Sequence, residues 1–317
     1  MESIIRTWLL EVFPLVIVTI GFFISMRMLR FPDLTISASF AAGNVGFFVS
    51  ASCLGSDIYG IFLSFVLGSF AGLLTGVVYS LNPTGVFKIL SSVLVMYSFY
   101  SMNFRLLGDN SAYIQDHSTS FVAYLQAMEK QFFVGHWHPF TYLFSFVLVV
   151  LVALAIYYFL KSNYGIKIRT AGWNSSLLIC SGLSYRFYVV LGLIVANATV
   201  AVGGWLDGAV HKRAVINEQG ILIDAIAALL LGELIIDAIT KLQDRRISVA
   251  TSIFSPIIGT MIYVLLKIVS QDILESQFKI FIVSDRYALV STIILVTVIA
   301  AKINSRRYYD YAVMEAL

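Results

Sequence analysis

Long runs of apolar residues, each about the length that crosses a hydrocarbon core as a helix, recur along this 317-residue chain and leave few folds open to it. Runs of about 17–25 residues fall at roughly 7–29, 36–53, 58–80, 84–102, 139–160, 187–209, 220–238, 250–270 and 288–305. In lipid every backbone N–H and C=O must be satisfied within the protein, so each run reads as a helix. Composition agrees, with 59% hydrophobic and only 12% charged residues, more apolar sequence than a soluble core of this size needs. The fold class is therefore all-α. We expect a polytopic integral membrane protein of nine transmembrane helices, with ten the alternative count, in a single domain over residues 1–317. The first run lacks a small-residue cleavage site and reads as a retained helix rather than a signal peptide.

The second and seventh runs carry Asn44, Asp224 and Glu233. Polar residues in short runs predict broken or re-entrant segments lining a cavity. With the N-terminus outside, most Lys and Arg of the short loops fall in the cytoplasm, including Arg27, Arg30, Lys88, Lys161, Lys167, Arg169, Arg186, Arg245 and Arg246. Residues 103–138 then form a long extracytoplasmic loop, and the odd number of spans puts the C-terminal tail in the cytoplasm. Within the loop, Phe121, Leu125, Met128 and Phe132 share one face of an amphipathic helix, suited to the membrane surface or to an external protein.

Between two runs lies a 161–186 interruption rich in Lys and Arg. Asn174 is a good N-cap and Gly182 a good residue just past a C-terminus, which predicts one short helix over Ser175–Ser181 carrying Leu177, Leu178 and Ile179. Two turns do not hold themselves together in water. An apolar helix so placed reads as a plug for a socket on another subunit.

Inside the spans, Gly68, Gly72 and Gly76 repeat every four residues along one helix face, the pattern of close helix packing where lipid gives no hydrophobic drive. Gly192 and Ala196 offer a second small surface, with Asn197 as interhelical glue or, less commonly, a substrate contact. Charge at membrane depth costs about 3 kcal/mol or more, so each such residue must face protein or water. Asp207 and Asp237 read as boundary residues and Glu11 as lying near the outer surface. For Asp224 and Glu233, a place in the permeation path and a structural hydrogen bond are equally open. In the Arg30–Ser37 stretch Pro32 fixes a turn, and Asp33 or Thr35 can cap the next helix; a helix start at that depth can also attract an anion. His136 and His138 bracket Trp137, a spacing too sparse to read as a zinc site. Cys53 and Cys180 form neither a disulfide framework nor a metal-ligand spacing and read as packing residues. No cofactor or metal is implied.

The absent motifs exclude whole classes. There is no GxxxxGK[ST] phosphate loop, no HExxH, no Gly-rich nucleotide turn and no recognisable Ser, His and Asp set, so the chain is not expected to hydrolyse ATP or to be an enzyme. The basic residues are scattered and the net charge is only +3, which gives no nucleic-acid surface.

Several segments resemble the membrane permeases of bacterial ATP-binding cassette importers of the branched-chain amino-acid and ribose (type II) class. FPDLTISASF at 31–40 is similar to the family's Asp-Leu-Ser/Thr opening of the second helix. Residues 81–108, with Tyr100–Gly108 at their end, resemble a subgroup of tryptophan- or tyrosine-type uptake permeases. Gly165, Arg169, Gly172, Asn174 and Gly182 stand where the family has its coupling helix, and ALLLGE at 228–233 with Asp244-Arg245-Arg246 resembles a later family segment. Trp173 departs from the pattern, which has an acidic or small polar residue there.

The resemblance implies a permease subunit in the bacterial inner membrane. It would form a dimer with a second copy or a paralogue, receive solute from an extracytoplasmic substrate-binding protein, and be driven by separate ABC ATPase subunits. Gly172, Asn174, Leu177, Leu178, Ile179 and Gly182 would couple to the ATPase, with Asp33, Asn103 and Glu233 as translocation-path candidates and an amino acid as the solute. The alternative is a stand-alone secondary transporter using Asp224 and Glu233 as proton or sodium sites.

Overall fold

The computed structural model describes residues 2–53, 55–56, 58–83, 85–113, 139–216, 220–243 and 249–277, with isolated positions at 125, 128, 129 and between 292 and 299. Its helices are α1 Glu2–Phe23, α2 Thr35–Cys53, α3 Ile58–Leu81, α4 Gly85–Leu107, α5 Pro139–Lys161, α6 Asn163–Trp173, α7 Ser175–Cys180, α8 Tyr185–His211, α9 Gly220–Gln243 and α10 Val249–Gln277. Among the described residues, seven helices are long and apolar enough to cross a membrane: α1 with its extension to Met28, α2 to α5, α8, and Ile253–Asp272 of α10. The seventh predicted run forms the 24-residue α9, which carries Asp224, Glu233, Asp237 and Lys241 along an otherwise apolar length. The run at 288–305 and the amphipathic segment with its histidines lie outside the described residues, apart from isolated positions.

Helix α8 is the hub, packed by α1, α2 and α3 and buried from Ala196 almost to its end. The stripe of α3 explains the close approach. A Cβ at Gly72 would overlap the Leu193 carbonyl, one at Gly68 would lie 2.5 Å from the carbonyl oxygen of Asn197, and one at Gly76 would lie 2.9 Å from the Cα of Val190. All three glycines meet successive turns of α8, so the helices touch backbone to backbone. Helices α9 and α10 close on each other in the same way through Gly232 and Gly259. As a pair they pack chiefly against α1.

The expected breaks in the second and seventh runs are not there, since α2 and α9 are continuous. One polar side chain does not open a helical ladder; proline, a π-bulge or an inserted group does. The irregular backbone falls instead after α1. A π-helical turn spans Ile24–Met28, with Leu29 N–H donating to Ile24 O at 3.0 Å, and Arg30 then takes φ 52. That left-handed conformation is uncommon for any residue but glycine, and it stops the helix. At the opposite end of the bundle a small ribbon forms, with β1 Ser111–Tyr113 antiparallel to β2 Arg213–Val215 and Ala112 opposite Ala214. The loop expected from 103 begins only at Gly108 (φ +83), because α4 continues to Leu107 and holds Asn103 inside the helix.

Candidate functional site: a two-helix knob at one end of the bundle

The interruption at 161–186 folds as two helices, not one. Ser162 caps α6 by accepting from Gly165 N–H at 3.3 Å. Asn174 ends α6 and starts α7: its backbone N–H donates to Thr170 O at 2.8 Å while its side chain accepts from Leu177 N–H at 3.1 Å. At the far end Gly182 takes φ +73. Its N–H donates to Ile179 O at 3.0 Å, and that of Leu183 donates to Leu178 O at 3.0 Å. This paired closure needs a residue free to be left-handed, which glycine is, and it brings Leu183 against Leu178.

The three apolar residues of α7 do not act alike. Leu177 and Ile179 are 54% and 63% exposed, whereas Leu178 is 2% exposed and belongs to a buried cluster with Ile168 and Ala171 of α6, Tyr188 and Val189 of α8, and Leu29. Successive helical residues point about 100° apart, so three in a row cannot share a face. Leu178 anchors the knob and its neighbours are displayed. Gly172 is likewise turned inward, since a Cβ there would overlap the Met28 carbonyl and the Leu29 backbone. Beside it Trp173, 67% exposed, lies under the Arg30 guanidinium, 3.7 Å from the ring centroid. Cys53 and Cys180 end their helices exposed rather than packed.

The translocation-path candidates are all engaged within the bundle. Asp33 is buried, accepting from Thr35 N–H at 2.9 Å and from Asn197 Nδ2 at 2.7 Å. Burial raises its carboxyl above the ordinary value, and the bonds from Asn197 and Thr35 pull the other way. Ser39 completes the set by donating to Asn197 Oδ1 at 2.7 Å, so Asn197 ties α8 to the start of α2. Asn103 is buried and donates to Ala38 O at 3.1 Å. Glu233 forms a two-pronged ion pair with Arg27 of the π turn. Asp224 accepts from Tyr263 Oη at 2.7 Å and from Lys267 Nζ at 3.0 Å, and Lys267 also lies 3.5 Å from Glu11. Sequence reasoning overlooked Arg27 and Lys267 as partners. The signal was present: a lone cation inside an apolar run requires an anion nearby.

A bundle of apolar helices with Glu233 and Asp224 each paired to a cation and a two-helix knob at one end defines a multi-pass membrane protein. Residues 4–300 match the family described as the permease component of the branched-chain amino acid transport system, and the chain belongs to that family. It is an ABC-type permease. Among curated relatives it is similar to the tyrosine transport system permease protein of Clostridioides difficile (strain R20291), 26% identical over 248 residues, covering 78% of this chain and 76% of that one. It is also similar to an uncharacterized protein of Rickettsia prowazekii (strain Madrid E), 24% identical over 249 residues, with 77% and 80% covered. Among solved structures, a chain of PsaBC from Streptococcus pneumoniae in complex with Fab shares the fold, with a TM-score of 0.51 at 15% identity over 93% of this chain and 90% of that chain.

Proposed function

We propose that this permease is the membrane-spanning half of an importer whose ATPase subunits dock on the α6–α7 knob. The observation that carries the reading is the split of α7: Leu178 fastens the helix to the bundle, while Leu177 and Ile179 stand exposed on a platform too well capped to move freely. Apolar side chains displayed on a rigid mount are what a protein groove recognises. In this reading the knob faces the cytoplasm, the N-terminus lies outside the bacterial inner membrane, and the chain itself hydrolyses nothing. A second copy or paralogue completes the path, and an extracytoplasmic binding protein delivers the solute. The C. difficile relative's name supports an amino acid, with aromatic ones first to test.

The stand-alone transporter has lost its footing. Its two carboxylates, Asp224 and Glu233, are matched by Lys267 and Arg27. The test is co-purification from native membranes. Wild type should bring down an ATPase, and Leu177→Glu with Ile179→Glu should lose it while inserting at wild-type level. Undiminished association of that variant would reject the knob as the dock.

A further inference from the structure

We infer that the π turn at Ile24–Met28 is the transmission element of the permease, with Arg27 and Glu233 as the positioning residues that carry motion of the docking knob into α9. This rests on the docking role of α6–α7 proposed above. The turn is gripped from two sides. The knob holds it through Gly172, whose missing side chain lets α6 close on the backbone of Met28 and Leu29, and through Trp173 under Arg30. Helix α9 holds it through the Arg27–Glu233 pair, in which Nε and Nη2 each meet a carboxylate oxygen. Planar fork-to-fork pairing fixes orientation as well as distance, which a single lysine contact would not.

The backbone between these grips is built to act as one piece. A π turn holds an extra residue, which rotates the next side chains by roughly 100° relative to a continuous α-helix. That rotation sets Arg27 toward α9 while Met28 and Leu29 meet α6. The left-handed Arg30 then ends the helix, so the loop cannot absorb displacement by adding another turn. Because α9 and α10 pack chiefly on each other and on α1, the end of α1 is the short route by which the knob reaches them.

The test compares Arg27→Met, Glu233→Met and the double variant in proteoliposomes with the ATPase that co-purifies with wild type, measuring radiolabelled tyrosine taken up per ATP hydrolysed. Each single variant should keep ATPase association and basal hydrolysis but lower that ratio by about tenfold, within the usual range of coupling between sites. The double variant should do no worse than the poorer single, because the two residues act as one link. A weakly folded protein would lose hydrolysis and uptake together and leave the ratio alone. A normal ratio in either single, or losses that multiply in the double, overturns the inference.

A second measurement needs no ATPase. Nitroxides at Ile166→Cys on α6 and Ile239→Cys on α9, with Cys53 and Cys180 replaced by serine, report the spacing of the two grips in the reconstituted chain. Both label sites are exposed. Arg27→Met should broaden or shift that distance distribution, and an unchanged distribution refutes the link. If the wild type captures no ATPase, the docking proposal fails on its own account, and the label distances still decide whether Arg27 joins α6 to α9.

Discussion

Truncating Leu178 separates the two jobs assigned to α7. A six-residue helix has almost no stability of its own, so it stays folded through the contacts of one buried side chain and the caps at its ends. Leu178 is buried in a cluster with Ile168 and Ala171 of α6, Tyr188 and Val189 of α8, and Leu29, and a cluster drawn from separate elements collapses only in part around an alanine. Such Leu→Ala changes cost about 3 kcal/mol or more. At about 1.4 kcal/mol per factor of ten, opening of the knob should rise by roughly 100-fold. Hydrogen exchange in detergent reads this directly at the amides of Gly182 and Leu183, which donate to Ile179 O and Leu178 O. Leu178→Ala should speed their exchange by about that factor, while Leu177→Ala should change it little, since surface substitutions stay within about 0.5 kcal/mol. For docking, Leu177→Ala should weaken ATPase association with the knob intact. Equal exchange in the two variants would refute the inward and outward assignment, whatever the transport assays gave.

The packing sets three further outcomes. Gly72→Val should lower the melting temperature in detergent and the yield of folded protein, because overpacking a tight contact costs about 1–3 kcal/mol and here the obstacle is the unyielding Leu193 backbone; unchanged melting would mean that α3 and α8 are further apart. Lys267→Met leaves the carboxylates of Asp224 and Glu11 without their shared cation and should cost about 3–5 kcal/mol, with Lys267→Met plus Asp224→Leu less harmful than the single change; a worse double would deny the pairing. Burial raises the Asp33 carboxyl, so the folded chain keeps a proton that the unfolded chain releases at lower pH. Stability should therefore fall as pH climbs from the unfolded value toward the raised folded one, and Asp33→Asn should flatten that slope. A slope unaltered by the substitution would assign it to other groups.

The parts legible in the sequence were those decided by local chemistry. Asn174 and Gly182 bracket α7 because an amide side chain satisfies a free N–H and glycine accepts a left-handed φ, both within a few residues. The stripe of Gly68, Gly72 and Gly76 announces a close neighbour without saying which. Helix α6 escaped notice because Gly165 and Gly172 look like breakers; both are small to let backbones approach, Leu160 for the first and Met28 with Leu29 for the second. The direction of Leu178 was illegible too. Leu177, Leu178 and Ile179 are chemically alike, and only the position of Tyr188 and Ile168 decides which is buried. Asp224 and Glu233 looked like breaks in a helix, but an ionisable side chain in a membrane helix asks for a partner and not for a kink, while Asn44 sits buried in a continuous α2 with its amide unpaired.

Those partners give α1 a part that no single run reveals. Apolar helix faces in a membrane slide past one another at small cost, because lipid is as apolar as leucine. Register must come from elsewhere. Along α1, Glu11 meets Lys267, Thr19 Oγ1 accepts from Thr260 Oγ1 at 3.0 Å, and Arg27 meets Glu233. At 1.5 Å per residue the two charged ends lie roughly 24 Å apart, nearly the depth of the hydrocarbon core. Three polar contacts over that length fix α1 on the α9–α10 pair as three pins fix a rod, in rotation as well as in height. The opposite face of α1 meets α8, where Gly203 approaches Val18. From Thr19 to Met28, beyond the break that Pro14 makes in the ladder, α1 is pinned on one side and packed on the other, so a push at its π turn is carried as far as the Thr19–Thr260 contact without being lost in bending.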